Sequence, residues 1–164
     1  PKNAGYVAGA LYKFDKAASK WTAICKGKDR DSFEPYQEEE LPAYPINFSI
    51  DPKNPESIYI AGLAPRFVGP GGGIWRSSDG GKSWKRLFDK PCLNVRLDPS
   101  NSKRVFACTI WHGFYQSVDG GESWSKVENF PSWSPYTVVF DPKDHQTLYV
   151  TTWGCGVWRG TLGK

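Results

Sequence analysis

The sequence contains no methionine and only two histidines among 164 residues. Without a methionine, the chain starts at Pro1 either because an initiator was trimmed ahead of it or because the chain was cut from a longer precursor, and the sequence does not separate these readings. Long apolar runs are also missing. The longest are strand-sized and soon interrupted by Gly, Asp or Lys, which argues against a membrane-spanning helix or a signal peptide in these residues, and membrane insertion is not expected. There is no C-x-x-C pair, and His112 and His145 show no zinc spacing, so neither a metal nor another cofactor is expected. Cys25, Cys92 and Cys155 fall in predicted loops and Cys108 near a strand end. In an exported protein they would allow one or two disulfides of undeducible connectivity, and free buried thiols are the other reading. Lys and Arg exceed Asp and Glu by 21 − 17 = 4, scattered rather than gathered, so the concentrated basic face that nucleic-acid binding needs is absent.

What the chain has in quantity is aromatic side chains, eight of them tryptophan, and turn formers, with 17 Gly and 13 Pro. It also repeats itself. Three segments read as one unit: "INFSIDPKNPESIYIAG…GGGIWRSSDGGKSWKRLF", "LNVRLDPSNSKRVFACT…HGFYQSVDGGESWSKVE" and "YTVVFDPKDHQTLYVTT…GCGVWRGTL". Each opens with an apolar stretch, turns at Asp51, Asp98 or Asp141, each followed by Pro, and returns. It then passes a Gly-rich connection into a third stretch beginning at Ile74, Phe114 or Val157. Short runs rich in β-branched and aromatic residues, bounded by Gly, Pro, Asn and Asp, predict antiparallel strands. Four strands every 40 to 47 residues is the size of one propeller blade.

Two units carry a second turn, "SSDGGKSW" and "SVDGGESW", comprising Ser77, Asp79, Gly81 and Trp84 and then Ser117, Asp119, Gly121 and Trp124. The Asp is expected to accept hydrogen bonds from the backbone of its own loop, the Gly to take a left-handed backbone angle, and the Trp to pack under the turn, a structural role.

These motifs resemble those of the Asp-box, or BNR-repeat, β-propellers, nearest in pattern to the xyloglucan-degrading glycoside hydrolases and the sortilin-type receptors. The group also includes sialidases and a photosystem assembly factor. The resemblance covers about residues 46 to 160 and implies an all-β propeller segment of roughly three and a half four-stranded blades within a ring of six to eight. Residues 1–45 are expected to hold a partial blade plus a polar acidic insertion, with Asp15 out of register for a box and Trp21 where a box Trp would fall. Residues 46–88 and 89–128 are expected to form blades with boxes, and 129–164 an incomplete last blade. The rest of the ring would come from a second chain, a cleaved half or a copy of this one; a compact four-bladed ring is the other reading.

Both kinds of Asp turn should lie on one supporting face. The opposite face should collect Arg66, Phe67, Trp111, His112, Trp133 and Trp153, and loops on a rigid scaffold are where binding residues concentrate. Exposed indoles beside a few polar groups suit a sugar, whose apolar faces lie on aromatic rings. For glycoside hydrolysis two carboxylates would be needed, but the acidic residues off the supporting face, Asp29, Asp31, Glu34, Glu38, Glu39, Glu40 and Asp89, all sit in connections without an apolar neighbourhood. None matches the surroundings of the relatives' paired catalytic aspartates, and a sialidase's three arginines with a Tyr and Glu pair cannot be assembled. The expectation is an exported carbohydrate-binding segment, extracellular or periplasmic, within a glycoside hydrolase whose catalytic carboxylates lie partly outside this chain. The alternative is a protein- or peptide-binding propeller.

Overall fold

The computed structural model describes residues 9–26, 44–63 and 71–162, and every helix or strand assigned among them is a strand. Strands β1 (Ala10–Asp15) and β2 (Lys20–Lys26) form a hairpin. Strands β3 (Tyr44–Asp51), β4 (Asn54–Leu63), β5 (Gly73–Ser77) and β6 (Lys85–Phe88) make a four-stranded antiparallel sheet in sequential order. A second such sheet comprises β7 (Cys92–Asp98), β8 (Asn101–Thr109), β9 (Phe114–Ser117) and β10 (Ser125–Lys126). Strands β11 (Pro135–Phe140), β12 (Thr147–Thr152) and β13 (Val157–Thr161) form a sheet of three. These are successive blades of a propeller.

The cores lie between blades rather than within them. Tyr59, Ala61, Ile74 and Phe88 of the first four-stranded blade pack on Val95, Leu97, Val105 and Ala107 of the second. Phe106, Cys108 and Phe114 of the second pack on Val138, Phe140, Leu148 and Val150 of the third. Strands β4 and β8 are covered on both faces, so Ile58–Leu63 and Val105–Thr109 are continuously buried and show no alternation. On β3 Ser49 and Asp51 are buried while Ile46, Phe48 and Ile50 are exposed. The buried side faces the next blade through a polar seam between inner strands, and the exposed side corresponds to the side of β7 on which Val95 and Leu97 pack against the preceding blade. Val95 N donates to Asn47 Oδ1 (3.1 Å), Leu97 N to Ser49 Oγ (3.2 Å) and Val138 N to Asn94 Oδ1 (3.3 Å).

The two box turns are near copies. Asp79 Oδ1 accepts from Lys82 N (3.0 Å) and Ser83 N (2.9 Å), and Oδ2 from Ser83 Oγ (2.6 Å). Ser77 Oγ donates to Asp79 and accepts from Gly81 N (2.8 Å). Asp119, Ser123, Ser117 and Gly121 repeat this set. Trp84 Nε1 and Trp124 Nε1 donate to the carbonyls of Gly81 (3.1 Å) and Gly121 (2.9 Å). Both glycines sit at φ 95°. A Cβ at Gly81 would meet Ile24 at 2.9 Å and one at Gly121 would meet Leu87 at 2.7 Å. Each box turn therefore nests on the outer strand of the preceding blade.

That nesting fixes the place of the first hairpin. Ile24 follows Trp21 by three residues as Leu87 follows Trp84, and Trp84 Nε1 also reaches Ile24 O (3.3 Å). Strands β1 and β2 thus stand as the third and fourth strands of a preceding blade. Asp15 forms no box: its Oδ1 accepts from Ala17 N and Ala18 N in a simple turn.

Box turns and Asp-Pro turns do share a face, since Gly80 N donates to Glu56 O (3.0 Å) and Gly120 N to Lys103 O (2.8 Å). On the same face His145 Nδ1 meets Ser100 Oγ at 2.7 Å. The cysteines need correction. Cys25 lies within β2 and Cys92 within β7 rather than in loops; both are buried, and the small apolar side chain of Cys92 joins the cluster between the two four-stranded blades. All four thiols are free, and only Cys155 is exposed. Burial pushes the Cys25 thiol up to about 11 and also pushes Cys92 and Cys108 well above the ordinary thiol range.

Two outcomes are expected. The native protein should present one fast-reacting thiol, Cys155, to a maleimide at pH 8, with the other three appearing in denaturant; equal reactivity of two or more would contradict this packing. The hydrogen bonds from Ser83 and Ser77, and from Ser123 and Ser117, hold the carboxyls of Asp79 and Asp119 far below their ordinary 3.8. A depressed folded pKa contributes stability above the unfolded value and loses it as pH falls below about 4. The Asp79→Asn/Asp119→Asn variant should therefore show a flatter fall of Tm between pH 4 and 2 than the parent, by calorimetry.

Candidate functional site

The face opposite the boxes is built from the β8–β9 and β12–β13 loops and the linkers that enter β7 and β11. The two loops share a frame. Thr109 Oγ1 and N donate to Gly113 O (2.6 and 3.3 Å), and Thr152 Oγ1 and N to Gly156 O (2.9 and 3.0 Å). Within it Trp111 stands where the later loop has Gly154, and His112 where it has Cys155. Gly154 takes φ 87° without cost, but Trp111 takes φ 59°, a left-handed angle that a bulky side chain adopts only with strain of about 1–3 kcal/mol. The strained indole is 62% exposed.

Main-chain bonds tie the loops to the linkers. Ile110 N donates to Pro91 O (3.0 Å), Trp153 N to Ser134 O (3.0 Å) and Gly113 N to Trp133 O (2.9 Å). The backbone of Trp133 is thus fastened to the base of the Trp111 loop, and Trp153 to the residue after Trp133. Trp133 is 75% and Trp153 68% exposed. The structure brings these three tryptophans onto one rim, with His112 exposed beside Trp111. Arg66 and Phe67 lie outside the described residues, as do Asp29, Asp31, Glu34, Glu38, Glu39 and Glu40. Asp89 is solvated and faces Lys90 at 3.5 Å.

Sequence reasoning missed what surrounds Trp133. A depression of about 490 Å³ is lined by Trp133, Lys126, Phe130, Pro131, Ser132 and Cys155, among others. The signal was the linker length: three residues more separate Trp124 from Pro135 than Trp84 from Cys92, and the excess builds this wall. Ser134, whose carbonyl holds Trp153, buries a hydroxyl with no protein partner among the described residues. No group of three or more metal-ligating side chains occurs among the described residues.

Replacing Trp111 by Gly should relieve the backbone. Against the entropy a glycine loses on folding, roughly 0.5–1 kcal/mol, the net expectation is a stabilisation of about 1 kcal/mol, read as a higher midpoint in urea. An unchanged or lowered midpoint would mean that the indole packs.

The comparisons with known proteins agree with this architecture. A family model described as Sortilin, neurotensin receptor 3, matches residues 72–158. An oligoxyloglucan-reducing end-specific xyloglucanase from Emericella nidulans is 34% identical over 83 residues, 49% of this chain and 10% of the relative. The chain therefore spans a small part of that protein's length. Among solved structures, a GH74 enzyme from Niastella koreensis superposes with a TM-score of 0.72 at 24% identity, over 96% of this chain and 26% of that one. YCF48 from Cyanidioschyzon merolae superposes at 0.51 with 17% identity, over 76% of this chain and 35% of that one. These last two likenesses concern the fold alone. With two box turns nested in register and a family model spanning more than half its length, the chain belongs to the Sortilin-Vps10 family of Asp-box propellers.

Proposed function

We propose that the face carrying Trp111, Trp133 and Trp153 binds carbohydrate, as part of an exported propeller of extracellular or periplasmic location. The indoles and Phe67 supply stacking surfaces for pyranose rings, and His112 and Arg66 supply polar contacts. The observation that carries this reading is Trp111, a bulky exposed ring held at a backbone angle that the equivalent loop gives to glycine. Strain of this kind persists where function requires it. The named activity of the matched xyloglucanase points to a β-glucan with xylosyl branches as the substrate class. Among the described residues, the one acidic side chain singled out on this face, Asp89, is solvated. In a glycoside hydrolase, then, the catalytic carboxylates come at least partly from elsewhere in the ring.

Titration with xyloglucan oligosaccharides should give a saturable change in tryptophan fluorescence, weakened about tenfold or more in Trp111→Ala, a loss of roughly 1.4 kcal/mol. Absence of any change across a broad glycan panel, together with binding to peptides, would replace this reading by a protein-binding propeller.

A further inference from the structure

In the first four-stranded blade the outer strand supplies a cation that anchors the loop above it. Arg86, paired with Trp75, donates from Nη2 to Gly72 O (2.6 Å) and to Asp89 O (3.4 Å), with its guanidinium over the Trp75 ring at 5.3 Å. Its side chain runs against the base of the loop, where a Cβ at Gly73 would meet Arg86 Nε at 3.2 Å.

The second blade has a cation at the same position and relieves it of that task. Lys126 pairs with Tyr115 as Arg86 pairs with Trp75, and a Cβ at Gly113 would meet Lys126 Cε at 2.7 Å and Nζ at 3.3 Å. Strand register puts Thr109 where the first blade has Gly62. The Thr109 hydroxyl and amide hold Gly113 O (2.6 and 3.3 Å), and Gly113 N donates to Trp133 O (2.9 Å), so this loop base is fastened without the lysine. Among the described residues the Lys126 ammonium makes no hydrogen bond and no ion pair. It lines the depression beside Trp133 instead.

The walls of that depression are linker residues, Cys155 of the β12–β13 loop and the loop-face ends of β9 and β10, and no residue of β13 contributes. Among the described residues neither Asp nor Glu lines it, which leaves Lys126 as its one formal charge. An ammonium is a compact point charge with three donors. Set beside the exposed indole of Trp133, it favours a ligand that offers an anion at the edge of an apolar ring. Ser132 Oγ accepts from Ser134 N (3.1 Å) and keeps its own hydrogen to donate to the same anion.

We infer that this depression is a subsite for an anionic sugar unit, whose ring lies on Trp133 and whose carboxylate or sulfate ester meets Lys126. The inference rests on the carbohydrate reading of this face and extends it. Neutral units lie along Trp111 and Trp153, and the acidic unit is read between the loops.

Three matched probes test it with the whole chain: cellotetraose, the same sugar oxidised to carboxylates at C6, and the same sugar sulfated at C6, each followed by tryptophan fluorescence. An acidic probe should bind about fivefold more tightly than the neutral one at low salt, the upper range for a solvent-exposed ion pair, and about 0.5 M NaCl should reduce the advantage. Lys126→Gln should abolish the preference, and Lys126→Arg should keep it. Which acidic probe gains identifies the anion. Neutral binding without an acidic advantage overturns the inference and leaves the carbohydrate reading standing. An acidic advantage that survives Lys126→Gln does the same, since it would then belong to the overall positive charge of the chain. Binding of none of the three probes, nor of xyloglucan oligosaccharides, overturns both.

Discussion

The structure depends on how closely one blade's turn can approach the blade before it. A four-stranded sheet of this size cannot bury either face alone, and the apolar clusters here all span two blades. What sets the spacing is the box turn, whose Ser and Asp satisfy several of the loop's own amides. The turn can then lie flat on the Leu87 or Ile24 side chain with a glycine at the contact. A side chain at that glycine would push the blades apart, and the Trp at the end of the turn would lose its seat.

Much of this was legible because the repeat is written in residues with narrow backbone roles. Asp-Pro and Ser-x-Asp-x-Gly-x-Ser-Trp each constrain a few dihedral angles strongly, so the strands between them and their order followed. The parts that were not legible concern which side of a strand is covered. On β3 the side that grips the next blade is the polar one, through Asn47 and Ser49, while Ile46, Phe48 and Ile50 lie on the side where Val95 and Leu97 of β7 meet the preceding blade. Hydropathy cannot anticipate a seam made of side-chain to main-chain bonds. Cys25 and Cys92 were misplaced for a related reason: each lies near the end of a strand, and sequence locates ends poorly.

The candidate site shows the same division. The loop face and its tryptophans could be assembled from topology alone. The left-handed angle of Trp111 could not, since nothing in "TIWHG" marks the third residue as strained until the loop is laid beside "TWGCG" in the shared Thr-to-Gly frame. The box turns on the supporting face are held by their own Ser and Asp, while on the opposite face the left-handed position of one loop is given to a Trp.

The asparagines between inner strands carry a consequence for how such proteins change. Asn47 and Asn94 grip the neighbouring blade by a backbone amide, at Val95 and Val138, and a backbone amide is the same whatever side chain it bears. The recognition is indifferent to the neighbour's sequence and sensitive only to its position. A duplicated or transplanted blade would be gripped as well as the original, so ring membership can be inherited while the loops diverge freely.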